Sequence, residues 1–394
     1  MKKNAYTTVP ERFMKPYELP KEKLEKAIAQ ALAKLEKNLP RWEYGFVGRG
    51  EDVNHYKEVP NNNWVHGMNT GTYWLAYELS GNEKFRQVAE KMLPSYQYRL
   101  DNKIGFGDHD VGFIYSPSCV AAYEKFGHKE LEKMLLEAVD YYYNTGYSKK
   151  GGFILRGWAW KDESGSRTMM DTLMNAPFLF WAGEKTGKKE YTEAALSQNK
   201  ITADLLIRDD GSSFHHYQFD YETHAPKYGL TFQGHADDSC WSRGHAWGVY
   251  GFPIAYSYVK EDFLVDVHKD VTYFMLNKLP EDLIPYWDYD FTSGDQPRDS
   301  SASAISICGM LEMCKMLPDD APQKAIFQSA AAQMMEALID LCADDPNDEF
   351  DGLIRHVTGA LPQGMGIDGV AVYADYHYME ALMRFANPDW KKYW

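Results

Sequence analysis

The stretch Tyr77-Glu-Leu-Ser-Gly-Asn-Glu-Lys-Phe85 shows how this chain is built. Gly81 stands where one helix would end in a left-handed cap, and a new apolar periodicity begins a few residues later. The same form recurs in Tyr123-Glu-Lys-Phe-Gly-His-Lys-Glu-Leu131 around Gly127 and in Gly183-Glu-Lys-Thr-Gly-Lys-Lys-Glu-Tyr191 around Gly187. Three such junctions predict a repeated helical hairpin, because a unit that recurs along a chain is typical of repeat architectures.

Apolar residues at helical spacing extend this unit along the whole chain. We expect twelve helices in six hairpins, near residues 20–38 and 67–79, 83–100 and 113–126, 129–145 and 171–186, 188–206 and 243–259, 261–278 and 300–316, and 321–343 and 370–386. Charged amphipathic segments such as 129–145 suit an outer ring, and apolar segments such as 305–311 suit an inner ring. The predicted fold is all-α, an (α/α)6 barrel, and two separate helical bundles are the alternative.

Long connections alternate with the short turns, near residues 146–170, 207–242, 279–299 and 344–369. We expect the short turns at one end of the barrel and the long loops at the other, which would hold the ligand site. No linker or low-complexity tract divides the chain. We therefore predict one catalytic domain over residues 1–394, with a short N-terminal extension of about residues 1–20.

Charge and composition argue against several classes of function. The 394 residues carry a formal net charge of −15, whereas nucleic-acid binding needs clustered lysine and arginine. No run of 18 apolar residues occurs and residues 1–20 are polar, so we predict no membrane partner and a cytoplasmic location. Five cysteines without a CxxC spacing predict reduced, buried thiols.

Asp108, His109 and Asp110 stand together in Gly105-Phe-Gly-Asp-His-Asp-Val-Gly-Phe-Ile-Tyr-Ser-Pro117, just before a helical segment. Asp108 is readily explained as a helix cap. Asp110 is the better functional candidate, because glycines on both sides of it, Gly112 among them, would let a ligand approach the backbone.

Asp171 lies in the apolar segment Arg167-Thr-Met-Met-Asp-Thr-Leu-Met-Asn-Ala-Pro177. A carboxylate among methionine and leucine side chains is costly unless it is hydrogen-bonded or protonated. Burial would raise the pKa of Asp171, and a nearby Asp110 carboxylate would raise it further. A carboxyl group with a raised pKa can act as a general acid at neutral pH. A helix cap or a salt bridge to Arg167 is the structural alternative.

Polar and aromatic residues cluster again in the segments 210–220 and 233–247. We interpret them as a sugar-binding rim, with Arg243 at the start of an inner helix. The many histidines raise the question of a metal site. Their spacing matches neither HExxH nor CxxC, so we predict no metal and no cofactor.

Together these segments resemble glycoside hydrolase family 88, the unsaturated glucuronyl hydrolases. The resemblance is carried, in family order, by the segments His109–Pro117, Met170–Pro177, Asp210–His215, Gly234–Gly251 and Pro297–Ala304. It implies an (α/α)6 barrel, in agreement with the helix count. It also implies that Asp171 is the catalytic acid/base and Asp110 the second essential aspartate. The implied substrate-binding residues are Trp64, His109, His215, Gln233, Arg243 and Trp247.

The resemblance also implies a reaction on a 4,5-unsaturated uronic acid at the non-reducing end of an oligosaccharide. Asp171 would protonate C4, water would add at C5, and the resulting hemiketal would open and release the neighbouring sugar. This is a hydration, so the carboxyl-separation rule for retaining and inverting glycosidases does not apply. We expect Arg243, with His215 near it, to face the C6 carboxylate.

Several alternatives stay open at this point. An unsaturated rhamnogalacturonyl hydrolase is the nearest one, followed by a sugar epimerase or isomerase and by a non-catalytic sugar-binding toroid. The predicted partner is an unsaturated oligosaccharide. The sequence does not indicate the oligomeric state. By the resemblance, members that favour sulfated glycans carry serine and lysine in the last long loop. Here the loop His356–Gly369 has neither, so we expect no strong demand for sulfate.

Overall fold

The computed structural model describes residues 2–42, 45–50, 53–157, 165–343 and 345–394. The helices are α1 (Glu11–Met14), α2 (Lys21–Trp42), α3 (His66–Ser80), α4 (Glu83–Met92), α5 (Pro94–Asp101), α6 (Val111–Tyr115), α7 (Ala121–Lys125), α8 (Glu132–Gly146), α9 (Thr172–Thr186), α10 (Lys189–Ile201), α11 (Ser242–Val259), α12 (Asp262–Lys278), α13 (Ser300–Cys314), α14 (Pro322–Leu341) and α15 (Val372–Ala386). The strands are β1 (Phe46–Val47), β2 (Glu58–Val59), β3 (Tyr147–Ser148), β4 (Phe153–Ile154), β5 (Arg167–Met169), β6 (His216–Phe219) and β7 (Pro226–Leu230).

Six inner helical segments close into a ring. α3 packs on the α6–α7 segment, which packs on α9, and the contacts continue through α11, α13 and α15 back to α3. The other long helices, α2, α4, α8, α10, α12 and α14, lie outside and pack on inner helices. The predicted (α/α)6 barrel is therefore confirmed, and the two-bundle alternative is not.

Burial separates the two rings as the sequence pattern predicted. Every residue of α9 from Thr172 to Gly183 is buried, which an inner helix requires because neighbours cover it on all sides. α8 buries Met134, Leu135, Ala138, Val139 and Tyr142, which repeat at the spacing of one helix face. α8 therefore lies outside the ring, with its charged face to solvent.

The short turns also form as expected, and proline accounts for most departures inside the helices. Gly81 and Gly187 cap α3 and α9 in the left-handed conformation, with φ of 65° and 71°. The helix predicted over 83–100 breaks before Pro94 into α4 and α5. A π-helical turn, Ser116–Val120, separates α6 from α7 at Pro117. Proline causes such breaks because it lacks an N–H and its ring collides with the preceding turn.

The long connections contain strands that the sequence reading missed. β5, β6 and β7 form an antiparallel sheet in which Met169 lies opposite His216. A single bridge joins Asp108 to Gly157 nearby. Residues 158–164 of the connection predicted over 146–170, and residue 344 of the last one, lie outside the described residues.

One apolar core joins buried side chains from Val9 near the start of the chain to Trp394. The five cysteines are buried and form no disulfide with one another, as predicted. Within the described ranges, no helix is both long enough and apolar enough to cross a membrane. The division into one domain and an extension of about residues 1–20 stays a prediction, although Phe13 of that segment is fully buried.

Candidate active site

A cavity of about 210 Å³ lies at the end of the ring where the inner helices begin. Its described lining residues are Arg49, Trp64, Asp108, His109, Asp110, Arg156, Met169, Asp171, His216, Phe232, Gln233, Trp241, Arg243, Trp247, Gly359, Ala360, Met365 and Tyr373. The partial positive charge of helix N-termini favours an anionic ligand here. Two larger cavities in the described part, of about 780 and 700 Å³, are lined by none of the predicted site residues.

Asp171 follows β5 and directly precedes α9. Its side chain is 13% exposed, and its neighbours Met170 and Leu173 are fully buried. It makes no helix-capping hydrogen bond, and its Oδ2 atom is buried without a hydrogen-bond partner among the described residues. Burial raises the pKa of Asp171, against the opposing charges of His109 and Arg243. Asp171 is therefore a poorly solvated acid rather than a cap.

His109 lies between two carboxyl groups. Its Nδ1 atom hydrogen-bonds Oδ1 of Asp108, and its Nε2 atom lies 3.2 Å from Oδ1 of Asp110. Burial disfavours a charged His109, but Asp110 and Asp108 outweigh it and raise the pKa of His109 to about 10. Burial also raises the pKa of Asp110 to about 7, although His109 opposes this shift, and both Asp108 and Asp171 add to it.

Asn175 connects the two predicted catalytic aspartates. Its Oδ1 atom accepts from the N–H of Phe113 at 2.8 Å, and its Nδ2 atom donates to the carbonyl of Asp171 at 3.0 Å. A hydrogen bond from Asn175 also lowers the pKa of Asp110 relative to burial alone. Gly112, which we expected to admit a ligand, instead lets α6 approach α9: a Cβ atom there would lie 2.5 Å from Cα of Asn175.

His215 lies behind Asp171 and is absent from the described residues that line the cavity. Its side chain is fully buried, with Nε2 3.9 Å from Oδ2 of Asp171. Its Nδ1 atom accepts from the N–H groups of Phe232 and Gln233, at 3.3 and 3.4 Å, so Nε2 carries the hydrogen. Burial lowers the pKa of His215 well below its usual value. The substrate-binding role expected for His215 stays a prediction; in the structure its neutral ring lies beside Asp171.

Arg243 lies in the first turn of α11, and its guanidinium lines the cavity. Its Nη1 atom donates to Oδ2 of Asp299 at 2.6 Å and to the carbonyl of Thr358 at 2.7 Å, and Nη2 donates to the carbonyl of Gly359. We expected the positive charge of Arg243 to face a substrate carboxylate, but Asp299 already balances that charge. The guanidinium is held rigidly, and Gln233 joins the same carbonyl of Gly359 at 3.0 Å.

Aromatic rings form much of the cavity wall. Trp64 stacks on Tyr373, with ring centres 5.5 Å apart and planes at 17°. Trp241 and Tyr373 both contact the guanidinium of Arg243, at 4.5 and 4.7 Å from their ring centres. Trp247 is buried, and its Nε1 atom has no hydrogen-bond partner among the described residues. Flat apolar faces beside polar groups suit a sugar ring, whose C–H face packs on aromatic rings.

Strand pairing explains why residues distant in sequence meet here. Because Met169 lies opposite His216, the next residues along the two strands are also neighbours. The N–H of Met170 donates to the carbonyl of His215 at 3.1 Å. Asp171, which follows β5, and His215, which precedes β6, therefore lie side by side at the same end of the sheet.

Three close donors, Asp108, His109 and Asp110, form the one group in the described ranges whose ligand atoms lie within 4.8 Å of one another. A metal would require the neutral imidazole of His109. The two flanking carboxylates instead hold His109 as a cation, which balances their charge without a metal. The prediction that the site needs no metal or cofactor stays a prediction.

The cavity brings together Trp64, His109, Asp110, Asp171, Gln233, Arg243 and Trp247 from the predicted set. Sequence reasoning missed Arg156, Tyr373 and the role of Asn175. Asn175 and Trp241 stand inside segments already singled out, so their motifs offered a signal. Arg156 and Tyr373 offered none, because no pattern relates their chain positions to the cavity.

Residues 41–378 match the family model of Glycosyl Hydrolase Family 88. The chain is 40% identical to the unsaturated chondroitin disaccharide hydrolase of Streptococcus pneumoniae (strain ATCC BAA-255 / R6), over 98% of this chain and 97% of that protein. It is 35% identical to the unsaturated glucuronyl hydrolase of Bacillus sp. (strain GL1), over 91% of this chain and 96% of that protein.

The solved structures agree with these relatives. The crystal structure of unsaturated glucuronyl hydrolase from Streptococcus agalactiae superposes with a TM-score of 0.94 at 37% identity, covering 100% of this chain and 98% of that chain. A variant of that enzyme complexed with dGlcA-GalNAc6S has a TM-score of 0.87 at 34% identity, with both chains fully covered. The present chain, with its paired acids in the cavity of an (α/α)6 barrel, therefore belongs to glycosyl hydrolase family 88 and is a glycosidase.

Proposed function

We propose that this glycosidase removes a 4,5-unsaturated glucuronic acid from the non-reducing end of lyase-generated glycosaminoglycan oligosaccharides, by adding water across the C4=C5 double bond. The observation that carries the proposal is the buried Asp171 carboxyl. Its Oδ2 atom has no hydrogen-bond partner among the described residues, and it interacts electrostatically with a second carboxyl, Asp110. The names of the bacterial relatives support the same substrate class.

Asp171 would supply the proton that starts the reaction. Protonation of C4 makes C5 an oxocarbenium ion, because C5 bears the ring oxygen. The Asp171 carboxylate then takes a proton from water as the water oxygen bonds to C5, which regenerates the acid. The resulting hemiketal opens to a ketone at C5, and the hemiacetal left at C1 collapses and releases the neighbouring sugar.

The neighbouring charges suit this sequence of steps. A carboxylic acid with a raised pKa donates its proton near neutral pH, where an ordinary aspartate is already ionised. In its ionised form, Asp110 would stabilise the oxocarbenium ion, since a fixed charge acts strongly in a site that excludes water. The His109 cation keeps Asp110 and Asp108 from destabilising one another.

The remaining groups would bind the unsaturated ring. Trp64, supported by its stacking on Tyr373, offers a flat face for the sugar. We assign the C6 carboxylate to the edge of Arg243 that faces the cavity, with Gln233 beside it. Since Asp299 and two carbonyls already fix the guanidinium, little orientational freedom remains to be lost on binding.

We also propose that the enzyme acts in the cytoplasm. Five buried cysteines without a disulfide fit a reducing compartment. Fractionation of cells that produce the enzyme, followed by activity assay of each fraction, tests the location.

Loss of absorbance from the conjugated double bond tests the function directly. We expect turnover of unsaturated disaccharides from chondroitin or hyaluronan, and a loss of about 10²- to 10⁴-fold in kcat for Asp171→Asn and for Asp110→Asn. Asp204→Asn, an exposed substitution on the outer ring, is the matched control and should keep the wild-type rate.

Each alternative predicts a different result. If the enzyme turned over only the unsaturated rhamnogalacturonan disaccharide, it would be an unsaturated rhamnogalacturonyl hydrolase. Epimer or aldose–ketose interconversion without loss of absorbance would indicate an isomerase. Full activity in Asp171→Asn would contradict the assignment of the acid.

A further inference from the structure

Arg156 lies on the connection after β4, held between the two segments that carry the catalytic aspartates. Its N–H donates to the carbonyl of Arg167 at 2.8 Å, in the strand that leads to Asp171. Its carbonyl accepts from the N–H of His109 at 3.3 Å, next to Asp110. The backbone of Arg156 is therefore fixed by the catalytic segments themselves.

Arg156 forms no ion pair in the part of the chain that the structure describes. Its guanidinium contacts the ring of Phe232, 5.7 Å from the ring centre, and its charge acts at longer range on Asp108, which hydrogen-bonds His109. The guanidinium of Arg243, by contrast, forms an ion pair with Asp299 at 2.6 Å. In a chain of net charge −15, a cation on a cavity wall that forms no ion pair marks a place for an anion.

Exposure distinguishes the floor of the cavity from its mouth. His109 and Trp247 are buried, and together with Asp171, whose side chain is 13% exposed, they form the floor. Arg156 is half-buried and Phe232 is 48% exposed, so they lie at the mouth. An enzyme that acts on the end of a chain holds the terminal ring at the floor. The sugar that leaves would then lie toward the mouth, on the side where these two residues line the cavity.

We propose that Arg156, backed by Phe232, binds a sulfate ester on the leaving sugar. The inference rests on the proposed function, because it takes the neighbour of the unsaturated ring as the ligand. The leaving amino sugar of a glycosaminoglycan disaccharide has no carboxylate, so a sulfate ester supplies any negative charge that it carries. A guanidinium matches such a group, since its parallel N–H donors bind two oxygens of a tetrahedral anion.

The expected contribution is modest. Arg156 is half-buried, so water and salt screen the contact, and an ion pair of this kind changes affinity by about two- to fivefold. This size agrees with the expectation that the loop His356–Gly369, which lacks lysine and serine, imposes no strong demand for sulfate. The sulfate would be recognised from the Arg156 side of the cavity instead.

The test compares kcat/KM on unsulfated, 4-sulfated and 6-sulfated unsaturated chondroitin disaccharides. The variants are Arg156→Gln and the matched control Lys149→Gln, which removes one positive charge from an exposed position before β4. We expect the wild type to prefer one sulfated disaccharide by about two- to fivefold through KM. Arg156→Gln should bring this ratio to about one, with the unsulfated disaccharide as the internal reference for each variant, while Lys149→Gln keeps the wild-type ratio.

The outcomes separate this inference from the proposed function. A wild-type ratio of about one, or a ratio that Arg156→Gln leaves unchanged, would overturn the role of Arg156 while leaving the reaction intact. Absence of turnover on every unsaturated disaccharide by folded wild-type enzyme would defeat the proposed function instead. The unfolding midpoint of each variant and its rate on the unsulfated disaccharide show that a changed ratio does not come from misfolding.

Discussion

The floor of the cavity holds Asp110, Asp171 and the cation His109, whose charges depend on one another. Burial and the mutual repulsion of the carboxylates raise the pKa of Asp110 to about 7, and burial raises the pKa of Asp171. Each carboxyl therefore keeps its proton to a higher pH than an ordinary aspartate and loses it as the pH rises through its raised pKa.

This titration predicts the pH dependence of kcat. Since the reaction needs the proton of Asp171, kcat should fall by about tenfold per pH unit above the raised pKa of that group. Asp110→Asn removes a negative charge beside Asp171, which lowers the pKa of Asp171 and moves the fall to lower pH. Initial rates between about pH 5 and about pH 9 measure both curves, with Asp204→Asn as the control. A kcat that stays constant to the alkaline end would refute the acid role.

Among the elements, the contact between α6 and α9 sets the distance between the two aspartates. Asp110 directly precedes α6 and Asp171 directly precedes α9, so a shift between the helices moves one carboxyl relative to the other. Gly112 permits the close approach, because a Cβ atom there would lie 2.5 Å from both Cα and the carbonyl oxygen of Asn175. These contacts are backbone atoms, which cannot rotate away as a side-chain end can.

Gly112→Ala should therefore affect both stability and activity. We expect a loss of about 1–3 kcal/mol in the free energy of unfolding, as for an overpacked core, and about a 10²-fold loss in kcat from the displaced Asp110. Gly309→Ala is the matched control: its Cβ atom would lie 2.3 Å from the carbonyl of Val249, in the contact between α11 and α13. It should cost similar stability and retain most of kcat. Equal losses of kcat in both variants would contradict this positioning role of Gly112.

For the whole molecule, the two ends of the ring serve different purposes. The inner helices begin around the cavity and end near Arg384, whose side chain is fully buried. Arg384 pairs with Glu312 at 2.6 Å and with Glu380 at 2.8 Å, and it donates to the hydroxyl of Tyr250 at 2.7 Å. These partners lie on α13, α15 and α11, so the cluster joins three neighbouring inner helices. It lies at the end of the barrel opposite Asp110 and Asp171.

Arg384→Met should separate stability from activity. Glu380 would lose its cation and Glu312 would keep only Lys392 and Lys315, at 3.4 and 3.7 Å, so we expect a loss of about 3–5 kcal/mol in the free energy of unfolding. The kcat should stay at the wild-type value under native conditions, because the cavity lies at the other end of the ring. Denaturant unfolding and the absorbance assay measure the two quantities. Arg86→Met, which breaks a half-exposed i,i+4 pair with Glu90, should cost at most about 0.5 kcal/mol.

The same unfolding curves test the proposed single domain. With one core from Val9 to Trp394, we expect the wild type and Arg384→Met to unfold in one transition. Two unfolding transitions, with the midpoint of only one of them shifted in Arg384→Met, would instead indicate two parts that fold separately.

The sequence by itself determined the barrel and the turns, and it predicted the two acids. Helix periodicity and left-handed caps such as Gly81 depend on residues a few positions apart, so they can be recognised from the sequence alone. The position of Asp171 among apolar neighbours is equally local, and it already implied a poorly solvated carboxyl. The family motif added the roles of Asp110 and Asp171 by resemblance.

Only the tertiary structure decided how the other groups are used. His215 lies beside Asp171 because the register of β5 and β6 brings them together, although 43 residues separate them. Arg243 is already neutralised because Asp299 meets it from another helix, and Arg156 reaches the cavity through backbone pairing with distant segments. Such pairings leave no periodic trace along the chain, because their energy comes from atoms that approach one another only after folding.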